Sequence, residues 1–278
     1  MENDDYIKSL KNGTVTKADF EYAKSVSTNL VEFDPHVLAE EPAHVSFTAQ
    51  TKSGKTYLII DWLSKIHKKF DRIYMVSNTA KAQKIYDCIP RENIQDTFDE
   101  VFFIELYEEA YELSKGKKKL PKTLIIFDDI VNDSNYRKSG ADTIDRYFTN
   151  GRQYNFSIWF LNQSFSLLNT TRRLNVMYAV AFDIESYRER DKFVEAYVSA
   201  INNRTGHIIF KSVVKEAPYQ CIIIDRTKPG SSIDKKIKKY IAKETAPFKI
   251  KSVGSGKYNS RKYSPGNIMS MSVFEDDD

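Results

Sequence analysis

Ala49, Gln50, Thr51, Lys52, Ser53, Gly54, Lys55 and Thr56 form the stretch with the most specific chemistry. A short β-like run, residues 44–48, precedes it, and a helical pattern follows. Strand, loop and helix in that order are the setting of a phosphate-binding loop. Amides at a helix N-terminus point at an anion, and the helix dipole favours it there. Gly54 allows close backbone approach. Lys55 would reach the β- and γ-phosphates, and the Thr56 hydroxyl would ligate Mg²⁺. Ala49 stands where the full pattern has glycine, and a positive φ there would strain it. The plainer reading is a Lys/Ser/Gly turn before an ordinary helix.

Asp128 and Asp129 end a second apolar run, residues 123–127. Acids closing a buried strand are the other half of a nucleotide site. The first would hold Mg²⁺, a hard ion that takes oxygen ligands and keeps several waters. The second would orient or deprotonate an attacking water. Neighbouring strand residues point to opposite faces, so both acids serve one site only if the chain turns at Asp129. Gln163 closes a third run, residues 157–161, where a polar side chain can sense the γ-phosphate or hold the water. Arg152 precedes that run. A permanently charged guanidinium suits phosphoryl-transfer charge, most often across a subunit interface.

The elements that must position these groups are legible as an alternation. Ile59, Trp62, Leu63 and Ile66 recur at helical spacing after the loop. Residues 72–76 read as a buried strand, 81–87 as a helix, 101–104 as a strand and 106–113 as a helix. Residues 132–142 read as a polar, mobile loop, and Ile144, Tyr147 and Phe148 as a helix. Residues 178–182, 208–210 and 219–224 read as strands, the last two as an edge hairpin, and 186–196 as a charged helix. Strands alternating with helices predict an α/β domain with a mainly parallel sheet and helices on its faces.

The 278 residues suffice for one large α/β domain or two small ones. A charged fraction of 29% with 41% hydrophobic residues reads as soluble and globular, and a net charge of +4 permits nucleic-acid binding without requiring it. Cys88 and Cys221 make neither a disulfide framework nor a metal cluster, which fits a reducing compartment. The acidic N-terminus is unlike a secretory signal, and no apolar run has the length of a membrane span. The expected organisation is an N-terminal extension (1–43, with a short helix near 19–23 and an extended segment through Phe33, Pro35 and Val37), an ATPase domain (44–250) and a disordered tail (251–278). Lysines at 115–122 and 235–239 form two basic clusters. Within the tail, Gly254-Ser255-Gly256-Lys257 mimics a phosphate loop, but Tyr258 replaces the required Ser or Thr and no strand precedes it.

The ordered set of loop, acids, Arg152 and Gln163, with Gly151-Arg152-Gln153-Tyr154-Asn155-Phe156-Ser157, Leu161-Asn162-Gln163 and Arg173-Leu174-Asn175, resembles the genome-packaging ATPases of double-stranded DNA viruses. These are poxvirus-like and virophage-like members of the FtsK/HerA superfamily of P-loop NTPases, and the resemblance spans about residues 44–183. It implies a RecA-like sheet with the 157–161 strand between the loop strand and the acid strand. It implies a homo-oligomeric ring with each site at a subunit boundary, acting on double-stranded DNA and on a capsid or portal-vertex protein. It implies ATP and Mg²⁺ at Lys55, Thr56 and Asp128, with Asp129 as base, Gln163 as sensor and Arg152 as a finger acting in trans. Asp129 stands where many relatives of the broader superfamily have Glu. The setting implied is the host cytoplasm or viral factory, or the virion itself. A cellular-type translocase or helicase would share this chemistry. A nucleotide-dependent switch or kinase would lack the DNA response, and a scaffold with a decayed loop would not bind ATP.

Overall fold

The phosphate-loop strand, β1 (His44–Thr48), is buried at all five positions. A strand with no solvent face needs partners on both edges and layers on both sides. In the computed structural model, which describes residues 16–134, 136–198, 203–228 and 230–253, it has both. The other strands are β2 (Arg72–Val76), β3 (Ile94–Gln95), β4 (Thr123–Asp128), β5 (Phe156–Asn162), β6 (Tyr178–Ala181), β7 (Gln220–Asp225) and β8 (Ile237–Ile241). Their order in the sheet is β3-β2-β4-β5-β1-β6-β7-β8. The first six run parallel; β7 pairs antiparallel with both β6 and β8. β5 therefore lies between the loop strand and the acid strand, as the resemblance implies.

Successive strand residues feed opposite layers. Ile125, Phe127, Ile158 and Phe160 enter one core, whereas Leu124, Ile126, Trp159 and Leu161 enter the other. Helix α1 (Lys17–Thr28) starts at a capping box between Thr16 and Asp19 and buries Ala23 and Val26. α2 (Lys55–Ile66) presses Leu58, Ile59, Trp62, Leu63 and Ile66 on the second layer. There Phe33 from the N-terminal segment meets Trp62 with ring centroids 5.2 Å apart. α3 (Glu100–Lys115) and α4 (Ala141–Asn150) cover the first layer. The remaining helices are α5 (Thr170–Asn175), α6 (Tyr187–Phe193), α7 (Asn203–Val214) and α8 (Ile233–Lys236). Among the described residues no helix is long and apolar enough to cross a membrane. Cys88 and Cys221 are both buried and free.

Several local expectations are corrected. Residues 101–104 are not a strand but the first turn of α3. Asp99 caps it, accepting the Phe102 amide at 3.1 Å, and Phe103, Leu106, Tyr107 and Ala110 form its buried stripe. Residues 208–210 lie inside α7, whose buried Thr205, Ile209 and Val213 recur every fourth position; the hairpin partner of β7 is β8 instead. Residues 81–87 hold two short 3₁₀ turns, Ala80–Ala82 and Lys84–Tyr86, rather than one helix. The segment through Pro35 and Val37 is a 3₁₀ turn, Pro35–Ala39, capped by Asp34. Much of 132–142 is ordered into turns leading to α4, because the buried Asp133 carboxylate accepts the Phe98 and Tyr136 amides, each at 3.1 Å. β3 had no signature, since two residues show no alternation. The phosphate-loop mimic at 254–257 and the tail from 254 onward lie outside the described residues.

Candidate nucleotide site

The site sits where parallel sheets place ligands, beyond the carboxyl ends of the strands. β1 hands over to the loop in register with β5: the Ala49 amide donates to the Asn162 carbonyl at 3.0 Å. Ala49 is buried and is not among the residues with positive φ. Its methyl group therefore carries no backbone strain, and the missing glycine is no defect. The left-handed positions are Lys52 at φ 65° and Gly54 at φ 98°. The Ser53 amide closes the turn on the Gln50 carbonyl at 3.3 Å. Gly54 caps α2 with no side chain, so the first amides of a twelve-residue helix are left to an anion.

The turn that both acids require is present. Asp128 ends β4, and Asp129 follows at φ 53°, ψ 34°. Both carboxylates consequently meet Lys55, whose Nζ is 3.6 Å from Asp128 Oδ1 and 3.3 Å from Asp129 Oδ2. Gln163 Nε2 donates to Asp129 Oδ2 at 2.9 Å. Loop lysine, both acids and Gln163 thus converge, although their strands are separated in sequence.

Two contributors went unread in the sequence. The Tyr86 hydroxyl donates to Asp128 Oδ2 at 3.1 Å, and the Ser77 hydroxyl reaches the same oxygen at 3.4 Å. Ser77 follows β2, the strand beside β4, so the rule that found Gln163 would have found it. Tyr86 lies on a 3₁₀ turn with no motif around it. Burial pushes the Asp128 carboxyl above its ordinary value, Lys55 pulls it down, and Asp129 pushes it up again. Burial likewise raises the Tyr86 phenol, helped by the Asp128 charge; a hydrogen bond with Thr56 opposes it. One phenol therefore bonds to Asp128 and lies near Thr56.

That proximity tests the fit of Mg²⁺. Among the described residues no three His, Cys, Asp or Glu side chains could enclose a metal. A hydroxyl and a carboxylate within reach of one hydroxyl group are two hard oxygen donors. This suits an ion that completes its shell with water and phosphate oxygens.

Arg152 lies elsewhere. It is exposed on the turn Gly151–Tyr154, ahead of β5, with Nη1 3.5 Å from Met177 Sδ. Its charge is felt by His44 at the start of β1, whose imidazole burial and Arg152 together depress to about 3. The seven residues of β5, at about 3.3 Å each, put roughly 20 Å between Arg152 and Gln163.

The family model described as the poxvirus A32 protein matches residues 30–241. The chain belongs to the poxvirus A32 protein family. The match extends on both sides of the 44–183 stretch that carried the resemblance. No curated protein sequence matches this A32-family chain. Among solved structures it is similar to the genome packaging NTPase B204 from Sulfolobus turreted icosahedral virus 2 in complex with ATPγS. That likeness has a TM-score of 0.50 and 16% identity, over 75% of this chain and 98% of B204. It is also similar to the pCW3 conjugation coupling protein TcpA with ATPγS. Here the TM-score is 0.54 and the identity 14%, over 84% of this chain and 65% of TcpA. At such identities the likeness is one of fold: the A32-family chain has a RecA-like P-loop architecture.

Proposed function

We propose that the protein is an ATP-hydrolysing motor that drives double-stranded viral DNA into a preformed capsid. The observation that carries the chemistry is Lys55 Nζ lying between Asp128 and Asp129, at the mouth of an uncapped phosphate loop. Family membership and the fold shared with B204 and TcpA support the motor reading.

Hydrolysis proceeds by in-line attack. Asp129 takes the proton of a water held with Gln163, the water oxygen bonds to the γ-phosphorus, and the bond to the bridging β–γ oxygen breaks, leaving ADP and phosphate. Lys55 and the loop amides stabilise the charge that develops. Mg²⁺, held by Thr56 and Asp128, would neutralise β- and γ-oxygen charge. Arg152 reaches a neighbouring subunit's nucleotide in a homo-oligomeric ring. Lysines and arginines focused on the ring channel grip DNA phosphates, and a capsid or portal-vertex protein receives the DNA. The setting is the host cytoplasm or viral factory, or the virion.

The test is ATP turnover with and without duplex DNA as salt rises. Turnover should rise with DNA, and the stimulation should fall steeply with salt, because phosphate contacts release counterions. Lys55→Ala should remove turnover altogether. A DNA response that is absent or flat with salt sinks the motor, and a fully active Lys55→Ala sinks the enzyme.

A further inference from the structure

Tyr219 is exposed, yet its backbone is held at φ 59°, a conformation that a bulky side chain adopts only under constraint. It follows Pro218 and immediately precedes β7. Its ring lies flush against the phosphate loop: a Cβ placed on Gly54 would sit 3.2 Å from Tyr219 Cδ1 and 3.5 Å from Phe182 Cε1. Beside it opens a cavity of about 230 Å³, walled by Lys52, Ser53, Phe182, Asp183, Glu185 and Tyr219. The mechanism above uses none of the last four.

The sheet order gives this cavity a direction. The acids sit on β4, two strands to one side of β1; β7 lies two strands to the other. Strands are about 4.8 Å apart, so each lies roughly 10 Å from the loop strand. A nucleoside triphosphate in the loop must present its γ-phosphate to Lys55, Asp128 and Asp129. The rest of the molecule then extends the opposite way along the carboxyl edge, toward β6 and β7. What it meets there is an exposed aromatic face, the buried Phe182 edge and two carboxylates.

We propose that Tyr219 is the stacking platform for the purine base of the bound nucleoside triphosphate, with Asp183 and Glu185 placed to accept from an exocyclic amino group. This rests on the nucleotide-site reading above and assigns the end of the ligand opposite the chemistry. Every base has a π face, and stacking on an aromatic side chain contributes about 1–3 kcal/mol per base, so losing the ring should weaken ATP binding roughly ten- to a hundredfold.

The experiment measures binding of ATP and of inorganic tripolyphosphate, each with Mg²⁺, to the full chain and to two variants. Tyr219→Phe keeps the ring. Tyr219→Asn removes it while keeping a residue that tolerates the left-handed region. ATP affinity should fall at least tenfold in Tyr219→Asn and stay near the parent value in Tyr219→Phe, while tripolyphosphate affinity is unchanged in both. Unchanged ATP affinity in Tyr219→Asn overturns the base platform alone. An equal loss for both ligands overturns it too, and makes Tyr219 a brace for the loop. Failure of the parent chain to bind either ligand overturns the nucleotide site and the platform together.

Discussion

Asp129 shows how much one dihedral angle decides. At φ 53° the chain leaves β4 in a left-handed turn, and the second carboxylate joins the first at Lys55. Asp and Asn enter this region more readily than other non-glycine residues because their short polar side chains bond locally. Asp129→Asn should therefore keep the turn and remove only the charge. Nucleotide binding should persist, and single-turnover hydrolysis should fall about 10²- to 10⁴-fold, the range for a lost general base. Hydrolysis within a few-fold of the parent would take the base role from Asp129. Residue types and order made the members of this cluster legible in advance: Lys55 from the loop pattern before a helix, and Asp128, Asp129 and Gln163 from the ends of apolar runs. Two things were not legible. The cost of Ala49 depends on which loop positions have positive φ, and those are Lys52 and Gly54. Tyr86 reaches Asp128 across 42 residues of sequence from a turn with no periodicity.

At the scale of elements, the segment after Gln163 is tied down by α6. Glu189, in the first turn of that helix, accepts the Ser164 hydroxyl, the Ser166 amide at 2.9 Å and the Ser166 hydroxyl at 2.5 Å. Burial works to raise the Glu189 carboxyl, but these hydrogen bonds and Lys192 outweigh it and hold it down at about 2, against an ordinary 4.5. Because the folded value is the lower one, the stabilisation is complete above about 4.5 and is lost as pH falls toward about 2. Glu189→Gln should lower stability at pH 7 by about 1–2 kcal/mol, with urea midpoints of variant and parent converging as pH falls from about 4.5 toward about 2. A gap that stays constant with pH would mean the charge is not its source. The helix over 186–196 was legible, but its bond to the loop was not, since charge patterning says nothing of tertiary partners. The same limit explains residues 101–104 and 208–210. Short apolar runs fit a strand or a helix turn equally, and the deciding facts were the Asp99 cap and burial at every fourth residue of α7.

At the scale of the molecule, the two ends of the parallel part of the sheet carry different groups. The carboxyl end carries Lys55, both acids and Gln163; the amino end carries Arg152, about 20 Å away along β5. A side chain at the amino end is far beyond reach of its own chain's nucleotide, so any catalytic use of Arg152 requires a second copy that presents its carboxyl end. The head-to-tail contact this demands is heterologous, and it builds a ring where the repeated rotation closes. Arg152→Ala should then bind ATP with parent affinity but hydrolyse it at least a hundredfold more slowly, in line with the contribution of arginine fingers. Lys55→Ala should fail for the opposite reason, with an intact finger and an empty loop. Mixed, the two inactive chains form junctions in which a sound Lys55 site faces a sound Arg152. Turnover should reappear and peak near equal proportions. If no mixture recovers activity although both variants assemble, Arg152 is not donated between subunits, and the amino end of the sheet must be assigned some other task.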